Sequence, residues 1–208
     1  MKSNFLFTLL VAFLAMTFLS FASAPKGNEA TINDLKAAIT GESTASAKYA
    51  AYAKKAKEDG YAKIALLFEA ASKSENIHAG NHRAALEQLG VTMEKVTPKF
   101  EVKSTKENLE DAIKGESYEV ATMYPGFIKT ANKNQVNIAL ISFNYAYQTE
   151  KKHKALYQHA LDVLNANKEN TLASKYMVCS TCGNTYDGEA PSRCGISMTP
   201  RDRFITIE

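Results

Sequence analysis

Two glutamate–histidine pairs, Glu75/His78 and Glu150/His153, recur in the chain, each following a Gly-Glu-Ser triplet, Gly41-Glu42-Ser43 and Gly115-Glu116-Ser117. On a helix, residues three apart share a face, so each pair presents a carboxylate and an imidazole to one point. Two helices carrying Glu-x-x-His and two carrying a lone Glu make the ligand set of a carboxylate-bridged metal pair inside a four-helix bundle. An unpaired carboxylate on the apolar stripe of a helix is costly or takes up a proton, so four such groups facing inward call for cations between them. An oxygen-rich set with one imidazole per ion favours iron or manganese over zinc or copper.

The elements that must position these groups follow from a repeat. Leu35 to Leu109, Glu42 to Glu116, and Ile64-Ala65-Leu66 to Ile138-Ala139-Leu140 share an offset of 74, whereas Glu75 to Glu150 and His78 to His153 are offset by 75. The halves therefore read as a duplicated helical hairpin. The extra residue is expected between Leu140 and Glu150, absorbed in the fourth helix as a π-bulge, a feature frequent at functional sites. Glu119 has no counterpart in the first half, where the offset lands on Ala45. It would give one metal an additional carboxylate, and an unequal pair suits redox chemistry.

The periodicity predicts a first helix from Thr31 to about Asp59, with Leu35, Ile39, Glu42, Ser46, Tyr49 and Ala53 on one stripe and Gly60 as its stop. A second runs from about Tyr61 to Leu89, with Ile64, Leu67, Phe68, Ala71, Glu75, His78 and Leu86 inward, and Gly90 ends it. Val91 to Val102 lacks helical period and forms the long crossing connection. The third helix begins at the capping sequence Ser104-Thr105-Lys106-Glu107 and carries Leu109, Ile113, Glu116, Glu119 and Met123 inward, with a kink expected at Pro125. The fourth spans about Asn134 to Leu164, with Ile138, Ile141, Tyr145, Glu150, His153, Leu161 and Leu164 facing in. His82 reads as a partly exposed helix histidine and His159 as a surface residue.

Residues 1–24 read as a signal peptide: Lys2 supplies the positive end, Phe5 to Leu19 is apolar apart from Thr8 and Thr17, and Ala22-Ser23-Ala24 offers a cleavage site. Cleavage after Ala22 is the alternative, and an uncleaved leader would tether the protein to a membrane. No twin-arginine pair precedes the apolar run, so the expectation is export unfolded to the periplasm, metal loading afterwards, and no stable membrane span once the leader is removed. The remaining 184 or so residues suffice for one sizeable core and a small appendage. A net charge of +3, with lysines scattered among glutamates, gives no footprint for nucleic acid. The three cysteines, Cys179, Cys182 and Cys194, lie close to the carboxyl terminus, in a stretch too small to fold on an apolar core alone. An odd, clustered set points to a local metal site rather than a disulfide framework.

Gly41-Glu42-Ser43 through Tyr49, Glu75-x-x-His78, Gly115-Glu116 with Glu119, Met123-Tyr124-Pro125-x-Phe127 and Glu150-x-x-His153 together resemble rubrerythrin, and the similarity extends over the chain beyond the leader. The resemblance implies an all-α, ferritin-like four-helix bundle (29–168) followed by a small metal-binding, rubredoxin-like domain (172–208). It implies a di-iron peroxidase that reduces hydrogen peroxide to water, with electrons passing through a mononuclear rubredoxin iron from an unidentified donor. By motif position it implies Glu42, Glu75, His78, Glu116, Glu119, Glu150 and His153 as di-iron ligands, with Tyr49 and Tyr124 beside the centre, hydrogen-bonded to its carboxylates. It implies a homodimer in which one subunit's rubredoxin iron faces the partner's di-iron site. The alternative reading is a ferroxidase or iron-binding bundle without reductive turnover.

The carboxyl-terminal module departs from that pattern. A rubredoxin site holds one iron through two Cys-x-x-Cys knuckles. Here the first is intact as Cys179-Ser180-Thr181-Cys182, but the second reads Cys194-Gly195-Ile196-Ser197. Tyr176, Tyr186-Asp187-Gly188, Pro191 and Phe204 match the module's aromatic and turn positions, so its fold is expected to persist. Three outcomes stay open: Ser197 ligates, a water completes a three-cysteine site, or the site is empty or oxidised.

Overall fold

The computed structural model of the protein describes residues 28–208, so the leader read at 1–24 lies outside the described residues. Two long antiparallel helices, α1 (Glu29–Glu58) and α2 (Ala62–Gln88), form the first hairpin. After a crossing segment without regular structure (91–104), held partly by Arg83 donating to the Met93 carbonyl at 2.8 Å, α3 (Thr105–Tyr118) begins at a capping box. Ser104 accepts from the Glu107 backbone N–H and the Glu107 carboxylate reaches back to Ser104, so two otherwise orphaned donors are satisfied. A π turn (Glu119–Met123) leads directly into α4 (Tyr124–Lys133), and α5 (Asn137–Asn165) closes the bundle.

The π turn corrects the expected site of the extra residue. α5 is α-helical throughout, and the widening sits in the third rod, where the Tyr124 N–H bonds back to the Glu119 carbonyl. Beyond it every equivalence is offset by 75. Gly60 and Gln135 both take left-handed backbone, with φ of 88° and 57°. The Tyr61 N–H donates to Ala56 at 2.8 Å just as Val136 donates to Ala131 at 3.0 Å. The Ile-Ala-Leu match at 74 is therefore a coincidence of composition. It also misplaced the inward face at the start of α5: Ile141 stands 49% exposed, while Ser142, Phe143, Ala146 and Thr149 are buried. The disturbance expected at Pro125 falls one turn earlier, because the ladder has already shifted register before the proline's missing N–H is reached.

Two apolar clusters cap the interior from opposite ends. One gathers Tyr49, Leu67, Phe68, Leu109 and Tyr157 and extends to Tyr176 and Val178. The other gathers Leu35, Ile39, Leu86, Tyr124 and Phe143. Between them lies the polar interior, shut off from water. The carboxyl-terminal module is a three-stranded antiparallel sheet in the order β2-β1-β3, from β1 (Tyr176–Cys179), β2 (Thr185–Asp187) and β3 (Phe204–Ile207). Among the described residues no helix is long and apolar enough to cross a membrane.

The corrected register is testable by denaturation. Phe68 and Phe143, equivalent at an offset of 75 and both fully buried, should each cost about 3–5 kcal/mol on replacement by alanine. Ile141→Ala should cost less than about 1 kcal/mol in urea unfolding, whereas the register at 74 would make it comparable to the phenylalanines.

Candidate metal centre

The four rods bring six of the seven expected ligands into two overlapping sets. Glu42, Glu75, His78 and Glu150 form one, and Glu75, Glu116, Glu150 and His153 the other, each with its ligand atoms within 4.8 Å of one another. Glu75 and Glu150 belong to both. Each turns one oxygen to each histidine: Glu75 lies 2.9 Å from His78 Nδ1 and 3.1 Å from His153 Nδ1, and Glu150 lies 2.8 Å from both. That is the placement a bridging carboxylate needs, with Glu42 and Glu116 at the two ends. Glu119 stands on the π turn, outside both sets but near enough for Glu42 and Glu116 to act on its charge.

The residues fit a pair of cations on the evidence of their unpartnered atoms. Glu42 Oε2, Glu75 Oε1, Glu116 Oε2, both Glu150 oxygens and His153 Nδ1 are buried without a hydrogen-bond partner. The Glu150 oxygens are close to imidazole nitrogens yet misaligned for hydrogen bonds; they converge on shared points rather than on each other. Buried polar atoms are seldom left this way unless an ion completes them. Both histidines also turn Nδ1 toward the shared carboxylates, where a metal would sit, because Nε2 is engaged elsewhere: His78 with the Cys182 carbonyl at 3.0 Å, His153 with Thr185 Oγ1 at 2.9 Å. Such outer partners fix the tautomer and ring orientation of a ligating histidine.

Around this set the repeat is visible as crossed pairs. Tyr49 donates to Glu116 at 2.8 Å, and its counterpart Tyr124 donates to Glu42. Behind Tyr124 stands His82, with Nε2 at 3.0 Å from the tyrosine oxygen and Nδ1 at 2.7 Å from Ser142 Oγ. Tyr157 occupies the matching position behind Tyr49, their rings 5.4 Å apart. His82 is fully buried, not partly exposed as expected, because its face of α2 is the one that meets α4 and α5. His159 is exposed, as expected.

Electrostatics in the metal-free protein follow from this crowding. Burial first, then the Glu75 and Glu150 charges, drives Glu42 well above the usual carboxylate range; burial with Glu150 and Glu75 does the same to Glu116. Glu119 is raised by burial, then by Glu42 and Glu116. Burial opposes charge on His78 and His153, but the flanking Glu150 and Glu75 carboxylates overcome it and hold both well above the normal imidazole value. Glu75, despite burial, is held down to about 2 by His153 and His78. Burial and His78 depress His82 to about 3, so it is neutral near pH 7.

A second group of donors lies in the carboxyl-terminal module, where Cys179, Cys182 and Cys194 are buried with their sulfurs within 4.8 Å of one another. The module sits on α2 and α5 of its own chain. Ser74 donates to the Gly183 carbonyl at 2.7 Å and Asn81 to that of Thr181 at 2.8 Å. Gly183 is required there: its φ is +77°, and a Cβ would lie 2.4 Å from His78 Nε2.

With this geometry in view, the matches to known proteins fall into place. A rubrerythrin family model matches residues 33–161. The chain belongs to the rubrerythrin family. Nigerythrin of Nitratidesulfovibrio vulgaris is 36% identical over 191 residues, covering 91% of this chain and 93% of the relative. Rubrerythrin-2 of Clostridium acetobutylicum is 34% identical over 178 residues, covering 85% and 96%. A solved nigerythrin in its fully reduced, all-ferrous state superposes with a TM-score of 0.77 at 35% identity, covering 85% of this chain and 86% of that one. Bacterioferritin of Rhodobacter capsulatus, at 20% identity and a TM-score of 0.63, shares the fold alone. Rubrerythrins are di-iron oxidoreductases of oxidative-stress defence, and in this member the carboxylate–imidazole cluster is the place for the iron pair.

Sequence reasoning missed His82, Ser142, Tyr157, Gly183 and Thr185. The first and third could have been found together, since they are equivalent at the offset of 75 that relates Glu75 to Glu150. The docking contacts could not, since most of them use backbone carbonyls.

Two outcomes are expected. Glu42, Glu116 and Glu119 have folded pKa values above the unfolded 4.5, and His78 and His153 above 6.5, so the folded state holds the extra protons. Their contribution is full below those unfolded values and is lost as pH rises through the folded ones; Glu75, between about 2 and 4.5, and His82, between about 3 and 6.5, act oppositely but are outnumbered. Calorimetry of chelator-stripped protein should therefore show the unfolding temperature falling as pH is raised above about 5, and restored iron should offset the fall. Gly183→Ala should release the module, read as faster proteolysis after Ala166 with the bundle intact.

Proposed function

We propose that this chain is a peroxidase that reduces hydrogen peroxide to two waters, consuming two electrons and two protons, with the electrons arriving through the carboxyl-terminal thiolate site. One observation carries the reading. The backbone carbonyl of Cys182, a donor in one metal site, accepts a hydrogen bond from Nε2 of His78, a ligand candidate in the other. An iron-storing bundle has no use for such a junction. A reductive catalyst needs one.

Glu42, Glu75, His78, Glu116, Glu150 and His153 would hold the iron pair, with Glu119 in reach of it. When bound, the pair would supply the two electrons needed to break the O–O bond. The chain's own part is to exclude water and manage protons. The Tyr124 hydroxyl donates to Glu42, its oxygen accepts from His82 Nε2–H, and His82 Nδ1 accepts from Ser142 Oγ–H. When Tyr124 passes its proton to Glu42 it can draw the Nε2 proton of neutral His82, which takes one at Nδ1 from Ser142, and a proton from water must then restore the Ser142 hydroxyl. On the opposite side Tyr49 donates to Glu116 but is backed by Tyr157, so the relay is one-sided. The apolar leader supports work in an exported compartment.

Anaerobically reduced protein mixed with peroxide should reoxidise in a single turnover, consuming one peroxide per iron pair. Reoxidation by dioxygen at an equal rate would refute the peroxidase and favour the ferroxidase alternative, which the missing fourth cysteine suggests. His82→Leu should slow the peroxide step by about 10²-fold with iron content unchanged.

A further inference from the structure

We propose that Ser197 Oγ is the fourth donor of the carboxyl-terminal site, closing with the sulfurs of Cys179, Cys182 and Cys194 a tetrahedral pocket for one iron ion.

The backbone shows that the second knuckle has been kept although its last cysteine is gone. In the first, the Gly183 N–H donates to the Cys179 carbonyl at 2.9 Å and the Cys179 N–H to the Asn184 carbonyl at 3.0 Å. In the second, Met198 donates to Cys194 at 3.0 Å and Cys194 to Thr199 at 2.8 Å. The two turns are thus the same structure 15 residues apart, and Ser197 stands where Cys182 stands. The likeness reaches the dihedrals: Gly183 has φ of 77° and Met198 φ of 60°. Methionine in left-handed backbone is strained, and such strain persists where the surroundings over-determine it.

The side chains agree. Cys179 Sγ lies 3.3 Å from Ser197 Oγ, and Cys182 Sγ lies 3.4 Å from Cys194 Sγ. These are opposite edges of one tetrahedron. Metal–sulfur bonds near 2.3 Å and metal–oxygen bonds near 2.0 Å give edges of about 3.5 to 3.8 Å, so the four atoms need part by only a few tenths of an ångström. Thr199 Oγ1 lies 2.8 Å from Ser197 Oγ and donates its own proton to Thr181 Oγ1 at 2.8 Å, so Ser197 is the donor to Thr199 and is held in place by it. The serine is therefore aimed. Metal uptake would release one proton from each of the three thiols and one from the hydroxyl, leaving three metal–sulfur bonds and one metal–oxygen bond.

Oxygen is a harder donor than sulfur and stabilises the ferric ion, so this site should have a lower potential than a four-thiolate one. The ligand assignment stands apart from the peroxidase reading; only the direction of electron flow rests on it.

The test uses the full chain loaded with iron, and separately with Co(II), whose thiolate charge-transfer bands report this site and not the oxygen-rich one. Wild type should bind one ion here, show weaker charge transfer than Ser197→Cys, and have a lower midpoint potential than that variant. Ser197→Ala should open a coordination position, so that added imidazole changes its Co(II) spectrum but not that of wild type. Identical spectra, potential and imidazole response for wild type and Ser197→Ala would overturn the proposal. So would wild type taking no metal here, or three cysteines that yield only one reactive thiol until reduced, the sign of a disulfide. Peroxide reactivity, measured apart on the same samples, decides the other reading.

Discussion

Placing several like charges in a space without water is the constraint on which the rest of this molecule depends. Glu42, Glu75, Glu116 and Glu150 project from four rods into a volume sealed at both ends by aromatic and aliphatic side chains. Mutual repulsion there is barely screened, so without cations the group must hoard protons, and the raised pKa values of three of the carboxyls in this interior say that it does. The aromatic caps therefore do more than fill space. By excluding solvent they make the interior intolerant of anything but protons or metal, and so select for the metal.

Duplication explains how one short hairpin came to supply such an arrangement. A carboxylate on one rod and a Glu-x-x-His on the next make half a site, and two halves facing each other share their inner glutamates. The tyrosines follow the same rule, each reaching across to the other half's lone glutamate. One inserted residue in the third rod then breaks the equivalence, adding Glu119 on one side only. The backing of the two tyrosines differs too, histidine against tyrosine, so the halves are alike in construction and unlike in proton chemistry.

Much of this was legible in the residues. The two Glu-x-x-His pairs, the lone glutamates, the capping box at Ser104 and the turn at Gly60 each carry a local physical reason for their place. What misled was a three-residue identity, Ile-Ala-Leu, that satisfied hydrophobic periodicity at the wrong offset and turned Ile141 inward on paper. Local pattern cannot tell two registers apart when both are apolar; packing against the facing rods can, and it chose Phe143. His82 was hidden for a different cause. Its burial depends on partners about 40 and 60 positions away, Tyr124 and Ser142, which no local window contains.

The seating of the small module has a consequence for assembly. Its hold on the bundle combines apolar packing of Tyr176 and Val178 with hydrogen bonds from Ser74, His78, Asn81 and His153 to Gly183, Cys182, Thr181 and Thr185. Not one of these bonds depends on the two sides sharing a chain; the tether around Ala166 to Lys175 alone enforces that. Two copies that traded modules would keep every bond and add a common interface, which makes exchange a low-cost path from monomer to dimer. Protein abundance would then govern whose bundle each tail serves.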